Sequence, residues 1–372
     1  GVSGYKSAYV LEAGEYVFYV GNSVRTEGVA GSFYFKETEL VQQLEPAMSP
    51  VESFERMRPI ASGNEWTVGY EAVPLREYNL WDRIQANRPA DIAYTGDKGY
   101  KLADVRSGKV SMEEFVAQIP ERELSILFRG EGMCSPKVTP GTGGALAGVS
   151  DSLLRYGIPL ICGSDGPNGI RMDSGSHATQ TPIGGLLAST WNEELISDMF
   201  ERVGEECKRE EIDILFGPGM NLHRTPLNGR NFEYFSEDPF LNGKVAAAYT
   251  RGVHRAGAFC SLKHFAGNSQ EDNRHYVDCI ASERALREIY LKGFEICVKE
   301  AKPLSLMTSY NKINGVWGHY HYDLCTRILR NEWGFGGLVM TDWWMQYTNS
   351  PEFPEIKDNG YRVRAGVDVL MP

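Results

Sequence analysis

Apolar positions change their rhythm twice along the chain. Residues 8–20 read Ala-Tyr-Val-Leu-Glu-Ala-Gly-Glu-Tyr-Val-Phe-Tyr-Val, two β-branched and aromatic runs flanking Glu12-Ala13-Gly14, which predicts a hairpin. Ser32–Phe35 is another such run. Two or three strands cannot bury a core alone. Residues 1–45 are therefore expected to be the last strands of a β-sandwich whose earlier strands lie elsewhere. From 46 to 90 the periodicity fades, and Pro46, Pro50, Pro59, Pro74 and Pro89 punctuate the chain. This stretch is expected to be a linker packing across other domains.

From about residue 91 short apolar runs alternate with helical patterns. The runs are Leu160–Cys162, Ile214–Phe216, Ser261–Phe265, Leu304–Tyr310, Leu338–Asp342 and Asp368–Met371. One helix is expected to open on Thr190-Trp191-Asn192-Glu193 as a capping box, with Ile196, Met199, Phe200, Val203 and Cys207 on one face. A second carries Leu286, Ile289, Tyr290, Gly293 and Cys297 on one face. Repeated strand–helix units predict a parallel sheet covered by helices. At this length a TIM-type barrel over 91–372 is the first expectation and a doubly wound sheet the second. Six of eight strands are readable, so closure is inferred.

Composition narrows the class only slightly. The hydrophobic share of 42% and charged share of 23% fit an ordinary globular chain. The net charge of −11 disfavours binding to nucleic acid or an anionic membrane. No apolar run approaches the roughly 20 residues needed to span a bilayer. The seven cysteines include no Cys-x-x-Cys spacing, which disfavours a zinc site. Several lie in apolar stretches, so buried free thiols in a reducing compartment, the cytoplasm, are expected. His275, His319 and His321 lack metal spacing with carboxylates and are read as structural or surface residues.

Chemistry gathers where the runs end. Leu160–Asp165 ends in a carboxylate, Ser261–His264 in a Lys-His pair, Ser305–Asn311 in Tyr-Asn. Leu338–Trp344 ends with Asp342 between a hydroxyl and two indoles. Barrel enzymes place their active sites at the carboxyl ends of the strands. Such residues suit a sugar: carboxylates accept from its hydroxyls, Lys and Arg donate, and indoles cover its C–H faces. A carboxylate under the anomeric carbon can attack it while a second carboxyl group protonates the leaving oxygen.

Six motifs in order carry a resemblance. They are Gly163-Ser164-Asp165-Gly166-Pro167-Asn168-Gly169-Ile170-Arg171, Gly217–Arg224, Gly229–Pro239, Lys263-His264-Phe265, Met307–Asn311 and Met340–Trp344. Together they resemble glycoside hydrolase family 3 over roughly residues 95–372. The resemblance implies a retaining, exo-acting β-glycosidase, β-glucosidase-like, acting on a β-linked oligosaccharide or an aryl or alkyl β-glycoside. It implies Asp342 as nucleophile and Asp165, Arg230, Lys263 and His264 as residues holding the non-reducing sugar. Tyr310 would stand near the nucleophile, Arg171 and Met307 would line the same region, and Trp343 would shape the subsite. Residues 1–45 resemble part of a fibronectin III-like sandwich, in the order of the subgroup with permuted domains. The family's acid/base Glu usually lies in an α/β sandwich domain, so that residue is expected outside these 372 residues. The C-terminal end of the barrel is expected to be truncated. No metal or organic cofactor is implied, and a homo-oligomer is left open.

Blander assignments exist for the same residues. Asp342 could be a structural Asp bonded to backbone amides. Asp165 and Arg171 could form an ion pair that stabilises a turn. Lys263-His264 could be a solvated Lys beside a core His, and Arg230 could pair with Glu233. Trp343 could be core packing. Glu237-Asp238-Pro239 reads as a helix start. The segment after Lys263-His264-Phe265 lacks the Gly-His pair of the β-N-acetylglucosaminidase branch, which favours the β-glucosidase-like branch. Competing functions are a β-xylosidase or arabinosidase of the same family, a glycoside phosphorylase, and a non-catalytic sugar-binding module.

Overall fold

The computed structural model describes residues 4–23, 25–63, 65–345 and 359–372. The chain divides into two compact units, Gly1–Ala47 and Met48–Pro372.

The first unit holds four strands: β1 (Ala8–Leu11), β2 (Gly14–Gly21), β3 (Glu27–Phe35) and β4 (Glu39–Gln43). The strands fall where the β-branched runs predict them, but their partners differ. β1 pairs antiparallel with β4, and β2 pairs antiparallel with β3, so residues 8–20 are not a hairpin. The turn chemistry explains the exchange. Gly14 takes φ +141°, closed to most side chains, and the Ala13 amide donates to Thr38 Oγ1 beside β4 at 3.1 Å. Tyr16 against Phe35 and Phe18 against Phe33 meet edge-on at 5.4 and 5.7 Å. No described residue before Ala47 is buried, so two strand pairs are seen here rather than a closed sandwich.

The second unit begins inside the stretch expected to be a linker. That stretch instead carries an antiparallel hairpin, β5 (Glu55–Ser62) with β6 (Glu65–Ala72), and a helix Leu80–Ala86 capped by Asn79. Trp66, Val68 and Tyr70 do alternate with polar residues along β6, but they are exposed here, and the prolines around the hairpin hid the signal.

The remaining strands build a TIM-like α/β fold. They are β7 (Gly144–Ala147), β8 (Leu160–Asp165), β9 (Ile214–Phe216), β10 (Phe259–Phe265), β11 (Asp278–Cys279), β12 (Ser305–Thr308), β13 (Lys312–Ile313), β14 (Val316–Trp317) and β15 (Leu338–Met340). The main sheet runs β15-β12-β10-β9-β8-β7. It is parallel except for β7, which runs antiparallel to β8. Single bridges extend the pairing from Met340 to Val369, from Leu370 to Arg129, and from Glu131 to Ala145, which returns it to β7. The strands are buried on both faces, the condition under which a parallel strand reads as a continuous apolar run. β11, β13 and β14 form a small separate sheet.

Helices cover the outside. Helix Glu193–Arg209 is capped by Asn192, whose side chain accepts from the Leu195 amide, so the expected Thr190 capping box is displaced by two residues. Thr190 Oγ1 instead bonds Leu187 O. Ile196, Phe200, Val203 and Cys207 are buried as the pattern requires. Asp238 caps helix Pro239–Arg255 with proline in its first turn, as the acidic step predicts. In the second patterned helix, Leu286–Tyr290 winds as a π-helix before Lys292–Ala301. The wider turn rotates the expected face, so Leu286, Gly293 and Cys297 are buried while Ile289 is exposed. No helix among the described residues is long and apolar enough to cross a membrane.

Candidate active site

Every sequence-predicted site residue lines one cavity of about 230 Å³. The strand ends put them there. Asp165 closes β8, Lys263 and His264 lie on β10, and Met307 lies on β12 with Tyr310 just beyond it. Asp342 and Trp343 follow β15. Arg171 and Arg230 come from the loops after β8 and β9. These are the carboxyl ends of parallel strands, where backbone direction changes and side chains can converge.

Asp342 is 8% exposed. Its Oδ1 accepts from the Trp343 amide at 2.7 Å and from the Tyr310 hydroxyl at 3.0 Å. Its Oδ2 stands 3.5 Å from His264 Nε2. Burial raises the carboxyl above the usual aspartate range, opposed by the Trp343 amide, by Arg230 and Lys263, and by the Tyr310 hydroxyl. Burial, with Asp342 nearby, also pushes the Tyr310 phenol up, so it stays protonated and donates.

His264 is neutral. Burial and then the nearby Arg230, Lys263 and Arg274 drive its pKa well below that of a free imidazole. Its approach to Asp342 is therefore polar rather than an ion pair. Asn221 clamps its backbone, donating to His264 O and accepting from His264 N, both at 2.8 Å. The Tyr234 hydroxyl lies 3.4 Å from Nδ1.

The cations are paired. Lys263, 3% exposed, reaches Asp165 Oδ1 at 2.5 Å. Burial would raise the Asp165 carboxyl, but Lys263 and Arg230 more than offset it and hold it below its usual range. The solvated-Lys alternative for Lys263 is thus overturned. Arg230 Nε donates to Glu233, so Arg230 both pairs and lines the cavity. Arg171 does not pair with Asp165; it grips Asp173 through Nε and Nη2, both at 2.9 Å. Trp343 packs its ring on Phe216 at 5.0 Å within the cluster that holds Met307, so it is core and cavity wall together.

The sequence reading missed several neighbours. Arg274 lines the cavity with its guanidinium 4.4 Å from the Tyr310 ring centre, and Glu271 holds it at 2.7 Å. His275 also packs on Tyr310, its ring 4.3 Å away. Asp173, Thr142, Phe216 and Trp344 complete much of the wall. Tyr234 and Asn221 lie inside quoted motifs, which was the only signal for them. His319 and His321 are buried away from the cavity lining, and no cluster of metal-ligating side chains occurs among the described residues.

The glycosyl hydrolase family 3 N-terminal domain model matches residues 98–372. The chain belongs to that family. A β-glucosidase of Ruminococcus albus is 50% identical over 371 residues, all of this chain and 39% of the relative. The crystal structure of a β-glucosidase from Paenibacillus barengoltzii superposes with a TM-score of 0.94 at 50% identity, covering 99% of this chain and 41% of that one. β-Glucosidase 3B from Thermotoga neapolitana, solved with glucose, gives 0.63 at 40% identity over 70% of this chain and 36% of its own. The chain therefore spans about two fifths of the relatives it matches. In this family 3 chain the carboxylates Asp165 and Asp173 are held by cations, while among the described residues Asp342 meets only neutral donors at hydrogen-bond distance.

Proposed function

We propose that the protein containing this chain is a retaining, exo-acting β-glucosidase with Asp342 as its nucleophile. The observation that carries this is the asymmetry of the Asp342 carboxylate. Oδ1 is fixed by two donors, whereas among the described residues Oδ2 has only the His264 ring at 3.5 Å. Oδ2 is the oxygen free to attack.

The chemistry follows. Oδ2 bonds to the anomeric carbon as the glycosidic C–O bond breaks. Its electron pair leaves with the aglycone oxygen, which takes a proton from an acid. Water then attacks the same carbon, returns a proton to that acid's conjugate base, and releases the Asp342 carboxylate with the β configuration kept. Lys263, Asp165, Arg230, Arg171 and His264 hold the sugar's hydroxyls, with Met307 and Trp343 as apolar wall. The acid is supplied from outside these residues, which is supported by the pairing: Asp165 is held ionised by Lys263, and Glu233 and Glu271 each carry an arginine. The family's α/β sandwich domain is the proposed source. The exposed aromatic strands of the first unit support a fibronectin-like sandwich completed by other residues. The free cysteines support a reducing, cytoplasmic setting.

The test is Asp342→Asn in the full-length protein. Turnover of p-nitrophenyl β-glucoside should be lost while glucose still binds. Incubation of the parent with a slow 2-fluoro β-glucoside should add one sugar mass to the peptide holding Asp342. A variant that turns over at the parent rate sinks the assignment.

A further inference from the structure

Four cations line the cavity, and each faces its own carboxylate. Lys263 pairs with Asp165, Arg230 with Glu233, Arg274 with Glu271 and Arg171 with Asp173. Asp342 is the lining carboxylate with no lysine or arginine within ion-pair distance among the described residues. The pairs cancel, so the cavity carries in effect the single negative charge of Asp342.

The Arg171–Asp173 pair differs from the other three. Its side chains are 51% and 37% exposed, whereas each other pair has at least one partner no more than 20% exposed. Asp173 also has no part in the chemistry above. Yet it is not a loose surface contact. The Asp173 amide donates to Gly141 O at 2.9 Å, and Gly141 takes φ +87° where a Cβ would lie 2.3 Å from Ser174 N. On the other side, the Arg171 amide donates to Asp165 O at 2.8 Å, and Ser164 Oγ donates to Arg171 O at 2.9 Å. Both backbones are pinned, so two parallel N–H···O bonds persist at the cavity wall.

We propose that Asp173 is a specificity-determining residue: it occupies the guanidinium fork of Arg171, so the cavity takes neutral β-glycosides and rejects those bearing a carboxylate or phosphate. This rests on the glycosidase reading of the cavity. A planar guanidinium is the natural bidentate partner of such anions. With Asp173 in place, an incoming anion must displace it and then lie beside both it and Asp342. That like-charge contact acts against the wrong ligand. A neutral sugar meets no such penalty, because hydroxyls bond to the pair without breaking it.

The test compares the full-length parent, Asp173→Asn, and Asp173→Asn combined with Arg171→Met. Binding of glucose, glucuronate and glucose 6-phosphate is measured by calorimetry. Hydrolysis of p-nitrophenyl β-glucoside and β-glucuronide is measured alongside. In Asp173→Asn the affinity for glucuronate relative to glucose should rise about tenfold, equivalent to about 1.4 kcal/mol. The rise should disappear in the double variant. A ratio unchanged in the single variant, or a rise that survives loss of Arg171, overturns the proposal. A parent that hydrolyses no β-glycoside while the binding ratio shifts as stated overturns the glycosidase reading alone. A parent that binds neither sugar overturns both.

Discussion

Replacing Tyr310 with Phe removes one hydroxyl and little else. Tyr310 is 2% exposed, and the ring contacts with Arg274 at 4.4 Å and His275 at 4.3 Å do not use the oxygen. What is lost is the 3.0 Å bond to Asp342 Oδ1, leaving the Trp343 amide as that oxygen's donor. A hydrogen bond to a charged group contributes about 1.5–3 kcal/mol, and the burial of both partners places this one in the upper part of that range. The bond favours the ionised carboxylate, opposing the upward push of burial. Without it Asp342 holds its proton to higher pH. On the acidic side of the profile only the ionised fraction reacts. There the variant's kcat/KM should fall below the parent's by about 40- to 150-fold, at about 1.4 kcal/mol per decade. On the high-pH plateau Asp342 is ionised in both proteins, and the gap should narrow. The assay is kcat/KM for an aryl β-glucoside against pH with the full-length enzyme. A parent-to-variant ratio that stays constant across pH would show that Tyr310 does not set the protonation of Asp342, the proposed nucleophile.

Two further outcomes concern stability. Because burial raises the Asp342 carboxyl, its ionised form opposes folding at neutral pH, and this penalty vanishes below the ordinary carboxylate range; Asp342→Asn should therefore stabilise by about 0.5–2 kcal/mol at pH 7 and give no gain near pH 3.5, read as Tm by scanning calorimetry, and equal shifts at both pH values would contradict it. Asp323 is fully buried, bonded by the Tyr78 hydroxyl and by Arg83 at 2.9 Å; Arg83→Met should cost about 3 kcal/mol in a denaturant titration, Arg83→Met with Asp323→Leu should recover much of it, and a loss under 1 kcal/mol would place the support for Asp323 elsewhere.

The parts of the fold legible in the sequence share one property. β8, β9, β10, β12 and β15 are covered on both faces, so burial alone writes them as apolar runs. Their ends were equally legible, because a polar residue immediately after such a run has few places to go but the mouth. What escaped depends on partners distant in sequence or on backbone shape. β7 is Gly-Ala-Leu-Ala, with no β-branched residue to announce it. Its partner across the ladder at Gly144 is Gly163 of β8, where a Cβ would lie 2.2 Å from the Phe216 ring on β9. β1 finds β4 across the whole β2–β3 hairpin, a choice that local pattern does not encode.

The pairing of Arg171 shows the same limit at the site. Asp165, at the end of β8, and Asp173, on the loop that follows, both lie within a few residues of it, and sequence distance does not choose between them. The choice is made by Lys263, almost a hundred residues away, which is buried on β10 with little solvent access for its charge. A buried ammonium needs a carboxylate far more than a half-exposed guanidinium does. Lys263 therefore takes Asp165, and Arg171 turns outward to Asp173. A similar competition leaves Asp342 with neutral donors at hydrogen-bond distance. Each described cation at the wall is already matched, so the remaining carboxylate is held in place by hydrogen bonds and, among the described residues, is not bound into an ion pair. That is the condition in which a carboxylate keeps both a fixed orientation and an oxygen able to react.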